Sequence, residues 1–530
     1  MGDRHLSRRE LLEAIPVVSR GALLVPLFSP AGQAAGNGAI RGRLREKATG
    51  KAVAAKLRVT DAATGEPYMP AASVKSMPKK SPSGVRYFYI RENYEIAVPA
   101  GRYRLEAVRG IAEEPEIVTV EVPAQATIEQ DFDFRPVRDL RAAGWYSGNT
   151  HTHYNVNIEE SVDQRMRIVP PAEGVDVSVI SYLIRNKLPY SSNRIPIGRM
   201  PEFSRDGVLM DMGEECRNNF ISPERPHNLG YGHCLFVNIP RLVEPVSTGQ
   251  LSPSGSDPDF PTLSMLCAEA KRIGGTTIWC HNGHGMEAPI AVALGHIDAL
   301  NISDGFPVEY GWYYQLLDCG FRLPISTGTD WWEYDHNRVF VKVEGSFTYD
   351  AWLAGLRAGR TFVSNGPLLE LTANGTGPGA ILRRPDRVKV VAQAISRVPF
   401  DRLELVHDGS VVAEKSARDG REARIEWDGT IQRDGWLAAR IGGKTKTRTG
   451  YEVFAHTNPI YVQAGTPSTA RAVAAAAIGK AIEQSVIFLR KNFRFATQAD
   501  QALAVGRFEE GRRFYAALAA GSSVPPRSAA

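Results

Sequence analysis

In Gly148-Asn149-Thr150-His151-Thr152-His153 two histidines stand two residues apart behind a short apolar stretch. Side chains alternate faces along an extended strand, so both imidazoles project from one face, where a single metal ion can take them. Standing alone, such a pair is explained equally well by a solvated strand face. The balance shifts at the ends of the later apolar runs. Gly207-Val208-Leu209-Met210-Asp211-Met212 runs into Gly213-Glu214-Glu215, Thr276 to Cys280 runs into His281, and Leu323 to Thr327 runs into Gly328-Thr329-Asp330. Three predicted strands therefore deliver a metal-ligand residue type at their C-terminal ends. In a parallel barrel those ends share one face, on which sites are assembled from several strands. His233 departs from this rule, because it precedes its apolar run Cys234-Leu235-Phe236-Val237.

Such a set needs a scaffold. At 530 residues the chain exceeds what one hydrophobic core organises, so roughly two to four domains are expected. Over 36–136, short alternating runs such as Lys56-Leu57-Arg58-Val59-Thr60 and Ile117-Val118-Thr119-Val120 lie between Gly, Pro and Asn and predict an antiparallel β-sandwich. The run Ala97 to Leu105 resembles the hairpin of carboxypeptidase-regulatory-like β domains. Over 137–365 strands alternate with helical stretches, which argues for an α/β unit with a largely parallel sheet or barrel. Eight of the eleven histidines fall there, so this is the segment expected to carry chemistry. Alternation returns over 366–465, with Asp408-Gly409 as a hairpin turn, and predicts a second β-sandwich. The segment 466–530 is rich in Ala, Leu, Glu and Arg at helical spacing and predicts a tail of two helices packed on the body.

The bulk numbers narrow the classes of partner. With 43% hydrophobic and 23% charged residues the chain reads as an ordinary globular protein. A formal charge of +5 without a dense Lys/Arg block gives no reason to propose nucleic acid. The five cysteines are odd in number and form no CxxC pair, so neither a disulfide framework nor a zinc knuckle is expected. Cys216, Cys234 and Cys280 each adjoin a candidate ligand, and strand alternation turns them to the opposite face. Residues 1–35 carry Ser7-Arg8-Arg9-Glu10-Leu11-Leu12, a mostly apolar stretch to Phe28, then Ala31 to Ala35. This resembles a twin-arginine export signal and implies a periplasmic or otherwise exported protein. Glu13, Pro16 and Arg20 interrupt the stretch, which excludes a span of about 20 apolar residues. An integral membrane protein is not expected.

Taken in order, His151-Thr152-His153, Gly213-Glu214-Glu215, Gly232-His233, Cys280-His281 and Gly328-Thr329-Asp330 resemble the PHP (polymerase and histidinol phosphatase) superfamily. The branch they are most similar to is that of the CehA/McbA metallohydrolases, a likeness extended by Gly359-Arg360-Thr361-Phe362-Val363-Ser364-Asn365-Gly366-Pro367. The resemblance implies a central distorted (β/α)7 barrel, here flanked by the two β-sandwiches and the helical tail. It also implies two or three divalent ions at the strand ends. By position, Glu215 would bridge two ions, with His151, His153 and Asp330 on one and His233 and His281 on the other. Two departures bear on the count. Ser181-Tyr182-Leu183 stands where the family pattern has Thr-Asp-His, and Asp330-Trp331-Trp332 where it has Asp-x-His. Both missing histidines belong to the third ion, so two divalent ions, zinc or manganese, are the expected cofactor.

In the mechanism this implies, a water between the ions loses its proton near neutral pH and attacks a carbonyl or phosphoryl centre. Asp330 combines ligation with accepting that proton, and His284 or His336 protonates the leaving group. Asp330, Glu215 and His284 are thus the expected catalytic residues. Glu214 is expected at the surface or around the ligands, and His227 and His296 are expected to be structural. Trp145, Tyr146, Tyr154, Trp279, Trp331, Trp332 and Trp312-Tyr313-Tyr314 could wall a pocket for a flat substrate, although core packing explains many of them. Arg185, Lys187 and Arg217 stand near enough in sequence to grip an anion. The expected substrate is a small ester, carbamate or amide. A phosphoester is the alternative, and an exported metal-binding or ligand-binding protein without turnover is the alternative of another class.

Overall fold

A computed structural model describes residues 37–70, 73–76, 82–154, 161–204, 207–220, 230–331 and 337–522. The expected export signal lies outside the described residues, as do His227, Trp332 and His336.

Asn93–Pro99 buries every second residue, which is what a strand with one wet face does. It pairs antiparallel with Asn37–Glu46, which also pairs in parallel with Thr127–Glu129 and Phe132–Phe134. A six-stranded sheet is centred on Ala54–Asp61, flanked by Phe88–Arg91 and Gly101–Val108. Ile40, Leu44, Leu57, Val59, Ile96, Leu105 and Phe132 form the apolar cluster shared by the two sheets.

Among the described residues of the segment carrying the histidines, seven strands build one run: β1 (Trp145–Asn149), β2 (Val177–Tyr182), β3 (Leu209–Asn218), β4 (Gly232–Val237), β5 (Thr276–Trp279), β6 (Ala299–Asn301) and β7 (Ile325–Ser326). They lie side by side in the order β7-β6-β5-β4-β3-β2-β1. Every pairing is parallel except the two made by β4, which runs against both neighbours. Beyond the ends of β1 and β7 the chain meets itself. Thr152–His153 pairs in parallel with Asp330–Trp331, and the Thr329 and Asp330 amides both donate to the His151 carbonyl, at 3.0 and 2.9 Å.

Helices join some of these strands: α1 (Val162–Ala172) before β2, α2 (Leu263–Arg272) before β5, α3 (Ala288–Ala293) before β6 and α4 (Gly311–Asp318) before β7. The Ser161 side chain caps α1 by accepting from the Gln164 amide. At the start of α2 the buried Glu287 carboxylate accepts from the Leu263 and Ser264 amides, at 2.8 and 3.1 Å, where the helix dipole favours negative charge. The described residues between β2 and β3, and between β3 and β4, contain no α-helix.

Past β7 come β8 (Arg338–Lys342), α5 (Tyr349–Arg357) and β9 (Thr361–Ser364). β8 pairs antiparallel with β1 and with β9, and β9 pairs in turn with Ala455–Thr457. Sheet hydrogen bonding therefore continues across residue 365 into the C-terminal β region. There Arg402–His407 and Ser410–Ser416 form a hairpin around Asp408-Gly409, with φ of 46° and 78° as a two-residue turn requires. A separate sheet of Leu368–Ala373, Val388–Ile395 and Glu422–Gly429 packs with it around Leu371, Val390, Leu405 and Leu437.

The tail forms α6 (Thr469–Asn492) and α7 (Gln498–Ala519), with a capping box between Thr497 and Asp500 opening the second. By length and composition α6 could cross a membrane, yet it buries Ala475, Ile478, Ile482 and Leu489 in the same core as the central strands. Gly511 lets α7 close on α3, since a Cβ there would lie 2.8 Å from Ile290 Cγ1. The Tyr515 hydroxyl donates to the Pro289 carbonyl.

Candidate metal centre

Strand alternation puts Glu215, Arg217 and Asn219 on one face of the β3 segment and Glu214 on the other. Because β4 runs antiparallel, its N-terminal end lies beside the C-terminal ends of β3 and β5. His233 is paired with Arg217, and its carbonyl accepts from the Cys280 amide. That is why His233 precedes its apolar run while the other ligand types follow theirs. The loops that complete the site are conformationally special. His281, Asn282, Ser303, Asp304 and Asp330 all have φ between 53° and 72°, a region non-glycine residues seldom adopt and which gathers at functional sites. Gly328 allows the closest approach, since a Cβ on it would lie 2.4 Å from that of His151.

Buried side chains converge in groups that could each hold a metal ion. In the first, His153 Nε2 lies 3.0 Å from His151 Nε2 and 3.0 Å from Glu215 Oε2. Asp330 Oδ1 is 3.4 Å from His151 Nε2 and 3.5 Å from His153 Nε2, and His151 Nε2 is 3.8 Å from Glu215 Oε2. These separations bracket the edge of about 3.3 Å expected between ligands in a tetrahedral site with bonds of ~2.0–2.1 Å. In the second, Glu215 Oε1 is 2.8 Å from His233 Nδ1 and 3.7 Å from His281 Nε2, and the two ring nitrogens are 3.0 Å apart. The two oxygens of Glu215 thus face different histidines. The structure brings together all six side chains that the sequence singled out as ligands.

The outward ring nitrogens explain the inward ones. His153 Nδ1 meets the Ser181 carbonyl at 3.0 Å, His233 Nε2 meets Asn219 Oδ1 at 2.8 Å, and His151 Nδ1 meets Asp304 Oδ2 at 2.7 Å. An acceptor outside makes the outer nitrogen the donor and leaves a lone pair pointing inward, the arrangement that metal-binding histidines adopt. Lone pairs and carboxylates then face one another across about 3 Å, which only positive charge can stabilise. Glu215 Oε1 and His281 Nδ1, both buried, make no hydrogen bond. This donor set fits a divalent cation.

Burial works against charge on Glu215, but the Arg217 guanidinium outweighs it and holds the carboxyl well below the usual range. Burial also disfavours a charged His151, yet the Asp304 and Asp330 carboxylates raise its pKa well above the usual imidazole range, so an ion bound there would displace a proton from that ring. His233 goes the other way, pushed down to about 3 by burial and then by Arg217, and stays neutral as a ligand must. Arg217 is itself buried, 3.3 Å from Glu215 Oε2, and its Nε has no hydrogen-bond partner.

Asp304 was not singled out in the sequence, yet it faces the outer nitrogens of both His151 and His281. It follows β6 in Asn301-Ile302-Ser303-Asp304-Gly305, so the rule that strand ends deliver ligand types would have reached it. Cys280 also lies nearer than strand alternation suggested, grouped with His151, His281 and Asp304. Burial pushes its thiol up, so it stays protonated and inert. Glu214 is neither at the surface nor around the ligands. It is buried on the far face, accepts from the Val243 amide at 2.7 Å, and is pushed up to about 8 by that burial.

His284 is in none of the ligand groups. It is half-buried, with its ring centroid 6.3 Å from that of His281 and 5.5 Å from that of Phe306. His296 lies away from the ligands, its carbonyl accepting from Thr277 Oγ1. Of the aromatic residues, Trp331 stacks with Tyr190 at 6.5 Å, and both rings approach that of His153. Six others serve packing: Trp145 meets Phe362, Tyr146 stacks on Phe347, Tyr314 meets Trp436, and Tyr154, Trp279 and Tyr313 are core residues. No protein-family model matches the chain, and no curated protein matches it.

Proposed function

We propose that this chain is a metal-dependent hydrolase of the PHP type, near the CehA/McbA branch, which holds two divalent ions and cleaves an ester, carbamate or amide bond. The observation that carries the reading is Glu215, with Oε2 at 3.0 Å from His153 and Oε1 at 2.8 Å from His233. A carboxylate whose oxygens address two histidine sets is suited to bridge two ions. His151, His153 and Asp330 would complete one site, and His233 and His281 the other. The run of seven strands whose ends meet through Thr152–His153 and Asp330–Trp331 supports the same reading. When bound, zinc or manganese supplies Lewis acidity, polarising the electrophile and lowering the pKa of water from about 15.7 towards ~7.

The protein's own groups do the rest. The outer hydrogen bonds keep the histidine lone pairs aimed inward, and Arg217 keeps Glu215 ionised. Asp330 is the more exposed of the two acids and accepts the proton of the attacking water. His284 returns a proton to the leaving group. Tyr190 and Trp331 offer a flat wall to a planar substituent. One observation favours a second reading, phosphoester hydrolysis: Arg217 is a buried guanidinium with an unpartnered donor beside the shared carboxylate, suited to a charged phosphoryl oxygen.

A panel of chromogenic aryl esters, aryl carbamates and phosphodiesters, assayed with zinc or manganese while bound metal is measured, tests the proposal. Ester or carbamate turnover that disappears with chelator and in Glu215→Ala is expected. Turnover of the phosphodiester alone selects the second reading. Full metal occupancy without turnover on the whole panel would leave a metal-binding protein and overturn the enzymatic reading.

A further inference from the structure

Asp304 stands behind two of the candidate ligands, and they belong to different groups. Its Oδ2 is 2.7 Å from His151 Nδ1 and 3.6 Å from His281 Nδ1. His151 Nε2 faces Asp330 and Glu215 Oε2, while His281 Nε2 faces His233 and Glu215 Oε1. The carboxylate is fully buried and firmly held. Asn301 Nδ2 donates to both of its oxygens, each at 3.2 Å. The Gly328 backbone packs close against it, since a Cβ there would lie 2.8 Å from Oδ1. Its own loop is tied to the flanking ones, because the Ser303 amide donates to Asn282 Oδ1 at 2.6 Å, and Asn337 Nδ2 donates to both Ser303 Oγ and the Gly328 carbonyl.

We propose that Asp304 is a common anchor for both ion sites, one carboxylate that orients His151 on one ion and His281 on the other. The inference rests on the two-ion reading above. An ion drawing on a ring's inner nitrogen makes the outer N–H a stronger donor, and an anionic acceptor behind it strengthens the bond to the metal. His281 Nδ1 makes no hydrogen bond, and Asp304 Oδ2, at 3.6 Å, is the carboxylate oxygen that faces it. The other outer partners differ in kind. Asn219 holds His233 alone, and the Ser181 carbonyl holds His153 alone. Loss of Asp304 should therefore weaken both ions, and loss of Asn219 only one.

The test is a zinc titration of the full chain, stripped by chelator and read in competition with a chromophoric chelator, so that two stepwise dissociation constants are obtained. Asp304→Asn, nearly isosteric but uncharged, is expected to weaken both steps by about 10–100-fold, whereas Asn219→Ala weakens one. Asn301→Ala, which frees the carboxylate without changing it, is expected to weaken both steps to a smaller extent and keeps the question answerable if Asp304→Asn fails to fold. Circular dichroism and thermal unfolding in excess chelator report that folding directly. Weakening of a single step in Asp304→Asn, or of neither, overturns the shared anchor while leaving the metal centre intact. A wild-type chain that takes up no zinc overturns the metal reading itself.

Discussion

Two buried polar clusters in this molecule invite comparison, and they differ in whether their charges are complete. Where the N-terminal β region meets the central strands, Glu173 accepts from Lys56 Nζ at 2.9 and 3.0 Å, from the Tyr89 hydroxyl at 2.9 Å and from Arg338 Nη2 at 3.3 Å. Both carboxylate oxygens face cations, and the cluster is self-sufficient. At the strand ends, Glu215, Asp330 and Asp304 face four histidines, three of them held from outside by acceptors, with Arg217 as the adjacent guanidinium. Both clusters are buried. Completeness separates a joint from a site: the first cluster ties two regions together, and the second sets three carboxylates beside one guanidinium, an arrangement suited to further positive charge.

The comparison can be broken at its most consequential residue. Glu215→Ala should take bound metal from about two equivalents per chain to fewer than about one and abolish hydrolysis, while His233→Ala should lose about one equivalent. Metal analysis of the purified variants decides this. The same substitution in the complete cluster should do the opposite. Glu173→Ala is expected to cost about 3–5 kcal/mol of stability, because it leaves Lys56 and Arg338 buried without the carboxylate that balances them, and to leave metal content unchanged. Denaturant unfolding with metal analysis tests both halves.

A third expectation concerns the missing charge. Zinc or manganese at about 100 times its dissociation constant should stabilise the chelated protein by about 2.7 kcal/mol per site, and that gain should vanish in Glu215→Ala. Thermal unfolding against metal concentration measures it. The smallest effect is a pH dependence at the complete cluster. Burial opposes charge on Glu173, but Lys56 and Arg338 outweigh it and hold its carboxyl below its ordinary 4.5. A depressed carboxyl contributes stability that is fully present above pH 4.5 and is lost as pH falls through its folded value. The stability gap between wild type and Glu173→Gln should therefore be constant near neutrality and narrow below pH 4.5. A gap that widens on acidification would contradict the assignment.

What could be read in advance, and what could not, follows from range. His151 and His153 share a face because they are two apart, and Glu215, His281 and Asp330 stand at the ends of apolar runs, so local periodicity alone marks them. His233 looked anomalous for want of one fact, the direction of β4, which depends on which strands it lies between. Glu214 was misplaced because adjacency to Glu215 suggested a shared role, whereas alternation sends it into the core. The alternating β regions and the helical tail were legible for the same local reason, but the continuity of the sheet through β9 was not.

Local chemistry and spacing thus determined the kinds of ligand, the strands that bear them and the turn at Asp408-Gly409, because those depend on neighbours within a few residues. Tertiary structure alone decided which oxygen of Glu215 faces which histidine, and that Asp304, Asn219 and the Ser181 carbonyl stand behind the rings. Those partners are as much as 153 residues from the side chains they orient. A hydrogen bond across such a separation is set by how strands pair and loops close, and neither is written in any short stretch of the chain.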